Sequence, residues 1–188
     1  MQTACRFTSS ILLPVISRNF NKSIHLSAIM PIKVGDKLPS VDLFEGTPAN
    51  KVNISDATKG KKVIIFGVPG SFTPGCSKTH LPGYVQQVEE IRGKGISDII
   101  CVSVNDPFVH SAWGDAHKAE GKVQMLADPR AEFTKAIELD IDLTGVLGTV
   151  RSKRYAMLVD DGVVKALEVE PDGTGLTCSV SNSFIKKL

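Results

Sequence analysis

Short apolar segments rich in β-branched residues alternate with segments of helical periodicity, and this alternation restricts the possible folds more than any other feature. The stretch "KKVIIFGV" at residues 61–68 has the length and composition of a buried strand. A helical pattern runs from Ser77 to the stop signal "RGKG", and a second strand, "DIICVSV", follows it. The next helix is marked by Asp106 at its N-cap and Pro107 at its first position. The pattern predicts βαβ units.

The rest of the chain extends this pattern and closes it with a hairpin. "KVQMLA" is predicted to be a strand, and Asp128-Pro129 to open another helix. "RYAMLV" and "VVKALEV" flank "DDG", a hairpin turn signal, and the final ten residues favour a helix. An extended segment at residues 41–44 precedes all of these. We predict a largely parallel central sheet with antiparallel strands at one edge, an α/β, thioredoxin-like fold with a central mixed sheet flanked by helices.

Length and charge exclude several classes of protein. With 188 residues, 42% of them hydrophobic, the chain suffices for one well-packed domain and is too short for two of ordinary size. The formal charge of +2 and the absence of a basic stripe argue against nucleic-acid binding. No apolar run approaches the length of a membrane span, so we expect no membrane partner.

Residues 1–29 differ in composition from the rest of the chain. They contain no Asp or Glu, while Arg6, Arg18 and Lys22 are basic and serine recurs. This composition is typical of a mitochondrial transit peptide; a secretory signal or a disordered arm is the alternative. We expect the folded domain to span residues 30–188. Met30 could serve as an internal start for a cytoplasmic or, through the Lys-Lys-Leu ending, a peroxisomal product.

Cys76 lies in "FGVPGSFTPGCSKTH", directly after the first predicted buried strand. Chemistry in open α/β sheets collects at the carboxyl ends of strands. A cysteine in the first turn of a helix faces unpaired backbone N–H groups and the positive end of the helix dipole, and both favour the thiolate. Thr73 and an arginine from elsewhere could add to this effect, and Gly70 and Gly75 would allow close approach of a small ligand. We therefore predict a reactive cysteine.

The other cysteines and His80 have different interpretations. Cys101 lies in an unbroken apolar strand and is expected to be a core residue. Cys178 follows a flexible loop, and its composition alone is ambiguous. His80, four residues after Cys76, could form a metal pair with it, but two ligands make a weak site, so we expect no metal.

"PGSFTPGC" matches the peroxiredoxin signature through Pro69, Thr73 and Cys76. Together with "KVQMLADP", "SVNDPFV", "WGDAHKAEGK" and "VKALEVEPDGTGLTCS", the chain from about residue 31 onward resembles the atypical two-cysteine, peroxiredoxin-five type. The resemblance implies a thioredoxin-dependent peroxidase that reduces hydrogen peroxide, alkyl hydroperoxides and peroxynitrite without haem, flavin or metal. We expect a monomer or a weak homodimer. The segment "DIDLTGVLGTVRSKR" departs in detail from the family pattern, so a dimer contact is less secure than the catalytic core.

The resemblance also implies residue roles. Cys76 would be the peroxidatic cysteine, Thr73 the hydroxyl that orients peroxide and thiolate, and Pro69 a shield of the pocket. Arg154 would be the active-site arginine, although Arg151 and Lys153 in "RSKR" compete for this assignment. Cys178 would be the resolving cysteine, which forms a disulfide with Cys76 that thioredoxin reduces.

Two other functions are compatible with the same residues. A thiol-based redox sensor would hold the same cysteine pair but turn over little, and turnover at sub-stoichiometric protein with thioredoxin distinguishes it. A disulfide oxidoreductase on this fold is disfavoured because the chain has no CxxC pair, and insulin reduction without peroxide would support it.

Overall fold

The computed structural model describes residues 30–188, so the proposed transit peptide lies outside the described residues. The strands are β1 Asp42–Glu45, β2 Lys51–Asn53, β3 Lys62–Val68, β4 Asp98–Ser103, β5 Gln124–Ala127, β6 Asp140–Asp142, β7 Val150–Ser152, β8 Tyr155–Asp160 and β9 Val163–Val169. The α-helices are α1 Ile54–Thr58, α2 Leu81–Gln86, α3 Val88–Gly93, α4 Pro107–Ala116, α5 Glu132–Ala136, α6 Thr144–Leu147 and α7 Ser181–Phe184. A π-helical turn at Cys76–His80 precedes α2, and a 3₁₀ turn at Ile185–Lys187 follows α7.

The central sheet has seven strands in the order β2-β1-β5-β4-β3-β8-β9, and β6 pairs with β7 in a separate two-stranded sheet. Only β3, β4 and β5 are mutually parallel. The mixed sheet is as predicted, but the expectation of a largely parallel sheet with one antiparallel edge is wrong. β1 runs antiparallel to both β2 and β5, so both edges are antiparallel. The short β1–β2 connection allows only an antiparallel pair, and these brief strands carried little sequence signal.

Both faces of β3 are buried, which explains its unbroken apolar sequence. Ile64, Phe66 and Val68 face one hydrophobic core. Val63 and Ile65 face the other. Helices cover both faces, and the architecture confirms the predicted α/β, thioredoxin-like fold. β3 is a central strand, and its carboxyl end leads into a loop at one end of the sheet, between the two packed layers.

Helix α4 and the β8–β9 hairpin form as the sequence predicts. The Asp106 carboxylate accepts a hydrogen bond from the Val109 N–H at the start of α4, and Pro107 is its first residue. Asp161 and Gly162 have φ values of 48° and 73°, the left-handed pair that a tight hairpin turn requires.

Three predicted helices differ in detail from the observed ones. Helix α5 starts at Glu132, because the Asp128 carboxylate accepts from the N–H groups of Glu132 and Thr134 and shifts the start along the chain. The helix expected from Ser77 is helical from Pro74, passes through the π-helical turn and breaks at Gln87. The C-terminal helix is present but short, because α7 gives way to the 3₁₀ turn.

Within residues 30–188, no helix combines the length and apolar character needed to cross a bilayer.

Candidate active site

The loop from Pro69 to Gly75 joins β3 to the helical segment that carries Cys76. Pro69 is buried directly after β3. Phe72 is exposed and has a left-handed φ of 61°, a conformation that costs a non-glycine residue about 1 kcal/mol. The loop is fixed from behind, since Ser71 donates its N–H to Asn105 Oδ1 at 2.9 Å. A turn held in this way presents its backbone in one orientation.

His110 anchors the same loop as a neutral imidazole. Its Nε2 lies 3.2 Å from the Cys101 carbonyl, which can only accept, so Nε2 carries the proton. Its Nδ1 then accepts from the Ser71 hydroxyl at 2.8 Å. Burial lowers the pKa of His110 to about 4 and keeps it uncharged at neutral pH.

Cys76 is fully buried at the start of the π-helical turn. Its carbonyl accepts the Leu81 N–H, five residues on, and Ser77 donates its N–H to the Thr73 carbonyl at 3.0 Å. The cysteine therefore lies in the first turn of a helical segment, as the sequence predicts. The wide π-type hydrogen bond leaves this turn less regular than an α-helix, and such turns are common at functional sites.

Thr73 places its hydroxyl oxygen 2.9 Å from Cys76 Sγ and 2.8 Å from the Gly70 carbonyl oxygen. A hydroxyl has one proton and cannot donate to both partners at once. When Cys76 is a thiol, its S–H can donate to Thr73 while Thr73 donates to Gly70. When Cys76 is a thiolate, Thr73 can rotate its proton to the sulfur. The contact can thus be satisfied in both charge states of the cysteine.

Arg154 brings a positive charge to the same sulfur. It is 3% exposed, and its Nη1 donates to Cys76 Sγ at 3.3 Å while its Nε donates to the Thr174 carbonyl at 3.0 Å. Arg151 instead donates to the carbonyls of Val104 and Leu147. The structure therefore brings Arg154, and not Arg151, to the sulfur.

Gly75 makes room for this contact. A Cβ at this position would lie 3.1 Å from Arg154 Nη2, tighter than ordinary van der Waals contact. The missing side chain is needed for the approach of the guanidinium, whereas the sequence had indicated only space for a ligand.

His80 connects this arginine to the segment that carries Cys178. Arg154 Nη1 donates to His80 Nδ1 at 3.3 Å, so the imidazole is neutral and its Nε2 donates to the Ser179 carbonyl at 3.1 Å. Burial, reinforced by the charge of Arg154, lowers the pKa of His80 to about 3. Tyr84 donates to the same carbonyl at 2.8 Å. The sequence suggested only a weak metal pair for His80, whereas the structure shows a hydrogen-bonded link.

Cys178 is half-buried and not disulfide-bonded. Its Sγ lies 3.5 Å from the Val169 carbonyl, and its N–H donates to Glu170 at 3.0 Å. Burial, with the nearby carboxylate of Glu170, raises the pKa of the Cys178 thiol. The sequence did not identify Glu170, because its partners lie in a loop whose path no local pattern specifies.

The third cysteine within residues 30–188, Cys101, lies in the same hydrophobic core as Cys76. Burial raises its pKa well above the usual range. Among residues 30–188, no group of three or more His, Cys, Asp or Glu side chains is arranged to hold a metal ion. The chemistry that the described site offers is that of a thiol between a hydroxyl and a guanidinium.

A family model described as Redoxin matches residues 33–183, and the chain belongs to this family. It is 45% identical over 164 residues to the chloroplastic Peroxiredoxin-2E of Arabidopsis thaliana, covering 84% of this chain and 69% of the relative. The crystal structure of reduced Prx3 from Vibrio vulnificus in complex with hydrogen peroxide is 43% identical, with a TM-score of 0.77, and covers 83% of this chain and 98% of that one. The crystal structure of peroxiredoxin 5 from Alvinella pompejana is 42% identical with a TM-score of 0.74. The match covers 84% of this chain and 100% of that one.

Within the redoxin family, the chain is therefore a peroxiredoxin, a thiol-dependent peroxidase. The predicted resemblance to peroxiredoxins is confirmed, and the peroxiredoxin-five type fits the structural match.

Proposed function

We propose that this peroxidase reduces hydrogen peroxide, alkyl hydroperoxides and peroxynitrite with Cys76 as its nucleophile. The observation that carries the proposal is the convergence of Thr73 Oγ1 and Arg154 Nη1 on Cys76 Sγ, at 2.9 and 3.3 Å. Both groups can donate hydrogen bonds to the sulfur, and both are held by other bonds before any substrate arrives. Pro69, buried at the end of β3, shields the pocket.

In the first step, the Cys76 thiolate attacks one peroxide oxygen. A sulfur–oxygen bond forms and the O–O bond breaks, so the sulfur is oxidised to sulfenic acid and the peroxide is reduced. The departing hydroxide or alkoxide takes a proton and leaves as water or alcohol, whereas peroxynitrite releases nitrite. Thr73, Arg154 and the backbone N–H groups of the turn stabilise the charge that develops on the departing oxygen.

In the second step, Cys178 resolves the sulfenic acid into an intramolecular disulfide. The S–S bond forms as the S–O bond breaks, and the Cys178 proton leaves with the oxygen as water. Both sulfurs have other partners in the reduced protein, so this step requires local opening. The irregular turn Cys76–His80 is the part of the site best suited to open.

An external dithiol then restores both thiols, and we assign this role to thioredoxin. The protein needs no haem, flavin or metal, because the oxidising equivalents pass from peroxide to disulfide through sulfur alone. A redox sensor with little turnover is the alternative function. Steady-state peroxide consumption with thioredoxin at sub-stoichiometric protein distinguishes the two.

The test is rapid mixing of the reduced protein with one equivalent of hydrogen peroxide. Trp113 fluorescence is a suitable signal, since its Nε1 donates to Ser77 Oγ beside Cys76 at 3.0 Å. We expect a loss of about two mass units that maps to Cys76 and Cys178. Cys76→Ser should abolish peroxide consumption, while Cys178→Ser should retain one rapid turnover and lose recycling by thioredoxin. Retained turnover in Cys76→Ser, or a disulfide with Cys101, would overturn the assignment.

We further propose that residues 1–29 deliver the domain of residues 30–188 to mitochondria, with initiation at Met30 giving a cytoplasmic or peroxisomal form. The acid-free, basic composition supports delivery to an organelle, and the chloroplastic name of one relative supports organellar targeting more generally. Expression with and without residues 1–29, followed by organelle fractionation, tests this, and recovery in mitochondria that does not depend on residues 1–29 would contradict it.

For the oligomeric state, we propose a monomer that self-associates weakly. Phe72, Phe108 and Val146 are large apolar side chains that are 56%, 59% and 81% exposed and are available to pack against a second copy of the chain. Phe72 follows Ser71, whose N–H is bonded to Asn105, three residues before Phe108. Sedimentation at rising concentration should show a dimer, and a monomer at all concentrations would contradict self-association.

A further inference from the structure

The loop that carries Cys178 is closed around one buried carboxylate. Glu170 is 1% exposed and lies directly after β9. Its Oε1 accepts the N–H groups of three successive residues, Thr177, Cys178 and Ser179, at 2.8, 3.0 and 3.0 Å. The hydroxyls of Thr177 and Ser179 donate to the same carboxylate at 2.6 and 2.7 Å. Successive N–H groups that converge in this way form an anion-binding nest, and here the anion is part of the chain.

Ser179 is held from two opposite sides. Its N–H and hydroxyl bind Glu170, whereas its carbonyl accepts from His80 and Tyr84, which belong to the helical segment of Cys76. Opening of the turn Cys76–His80 would remove His80 from this carbonyl. Glu170 would then be the main group that still holds the segment 177–179.

From this arrangement we propose that Glu170 is a latch that holds Cys178 away from the resolving reaction and sets the rate of disulfide formation. The inference rests on the proposed role of Cys178 as resolving cysteine. Glu170 is a positioning residue, because its carboxylate binds the backbone of Cys178 and touches no reacting atom. A disulfide requires Cα atoms within about 7 Å and well-oriented Cβ atoms, so the pinned backbone opposes any rearrangement that the pairing needs.

The charge of Glu170 acts in the same direction as its hydrogen bonds. Burial and the Glu170 carboxylate raise the pKa of Cys178, which disfavours the attacking thiolate. The other charged group that acts on Cys178 is Glu168, which pairs with Lys187 and makes no hydrogen bond to the segment 177–179. Loss of the Glu170 charge should therefore both free the segment and increase the thiolate fraction of Cys178.

The experiment follows both oxidation steps of the full-length reduced protein after one equivalent of hydrogen peroxide. Acid-quenched samples are measured by intact-protein mass spectrometry. This distinguishes sulfenic acid, a gain of about 16 mass units, from the disulfide, a loss of about two mass units. In Glu170→Gln, we expect sulfenic acid to form at a rate within about twofold of the unmodified protein. Disulfide formation should be about tenfold faster, which corresponds to an activation free energy lower by about 1.4 kcal/mol. The pH midpoint of this step should move to a lower pH.

Glu168→Gln is the matched control, since it makes the same chemical change two residues away and should leave the disulfide step within about twofold. General loss of stability would also speed a step that requires local opening, but it would not move the pH midpoint of that step. The shifted midpoint is therefore the readout that a merely structural role does not produce. An equal or slower disulfide step in Glu170→Gln overturns the latch.

If Glu170→Gln does not fold, Thr177→Val tests the proposal instead, because it removes one hydroxyl from the nest and keeps the charge of Glu170. It should accelerate the disulfide step without the shift of the pH midpoint to lower pH that is expected of Glu170→Gln, and an equal or slower step overturns the proposal. Absence of a Cys76–Cys178 disulfide in the unmodified protein would instead overturn the proposed function, so the two failures are distinguishable.

Discussion

The single proton of the Thr73 hydroxyl makes this residue more than a fixed hydrogen-bond donor. Its two acceptors, Cys76 Sγ and the Gly70 carbonyl, lie at nearly equal distances. The sulfur competes best when it is negatively charged, since hydrogen bonds to ionised groups are stronger. The same hydroxyl can then reorient toward a peroxide oxygen as charge moves from sulfur to the leaving group. A side chain without a proton to redirect cannot do this.

We therefore expect Thr73→Val to slow sulfenic acid formation by about 10² to 10³, the usual cost of removing one preorganised donor. Valine has nearly the same shape, so packing should be preserved. Stopped-flow Trp113 fluorescence against peroxide concentration measures this step. Thr73→Ser, which keeps the hydroxyl, is the control and should retain most of the rate. Equal rates in Thr73→Val and the unmodified protein would remove Thr73 from the reaction.

Residue positions were predictable where they depend on a local segment, and not where they depend on long-range packing. The positions of Thr73 and Cys76 in one turn follow from their spacing and the helix start. Sequence spacing could not decide between Arg151 and Arg154, because the choice depends on which side chain faces the Cys76 turn after β8 pairs with β3. Glu170 was missed for the same reason, since a carboxylate after a strand carries no mark of the loop that later folds around it.

At the scale of elements, strands and helices with a clear apolar pattern, cap or turn signal were predicted, and several elements without one were missed. β3, β4, α4 and the β8–β9 hairpin were predicted because each has its own cap, turn or unbroken apolar run. β2, β6, β7 and α6 have three or four residues each and present no periodicity. The π-helical turn also has no sequence signature, because its wide bond is a property of how the helix packs.

Contact between neighbouring strands gives a stability prediction at this scale. Gly67 on β3 lies opposite Tyr155 on β8, and a Cβ there would be 2.1 Å from the Tyr155 ring. Alanine must displace a fully buried ring, so Gly67→Ala should lower the free energy of unfolding by about 3 kcal/mol. Gly93→Ala is the control, because a Cβ there meets no atom within 4 Å and α3 gains a better helix former. Urea denaturation measures both, and equal midpoints would contradict the argument.

At the scale of the whole molecule, the site imposes an electrostatic cost on the fold. The domain buries His80 and His110 as neutral groups. His80 ends the turn that carries Cys76, and His110 is bonded to Ser71 in the loop before it. Each is kept neutral by its position between a donor and a carbonyl acceptor, and neither can take a second proton without losing a bond. The architecture that aligns the site thus depends on pH.

The sign of this dependence follows from the lowered pKa values of the two histidines, about 3 for His80 and about 4 for His110, against 6.5 for an ordinary histidine. Below pH 6.5, the unfolded chain takes up protons at both positions while the folded protein does not. Stability is therefore fully present above pH 6.5 and is lost as the pH falls toward 4. Between about pH 5 and 6, the free energy of unfolding should fall by up to about 2.7 kcal/mol for each unit by which the pH decreases. Each histidine contributes about 1.36 kcal/mol of this slope.

Urea denaturation at several pH values, followed by Trp113 fluorescence, measures this slope. His110→Gln, whose side chain cannot take a charge, should reduce the slope to about half, even though the loss of the Ser71 contact lowers stability at every pH. Carboxylates such as Glu170, whose pKa is lowered to about 2, add their own loss only below about pH 5, as the unfolded carboxylates begin to protonate. A stability that stays constant from pH 7 to pH 5 would mean that His80 and His110 accept protons in the folded protein, and that the hydrogen-bonded link from Arg154 to Ser179 does not require a neutral imidazole.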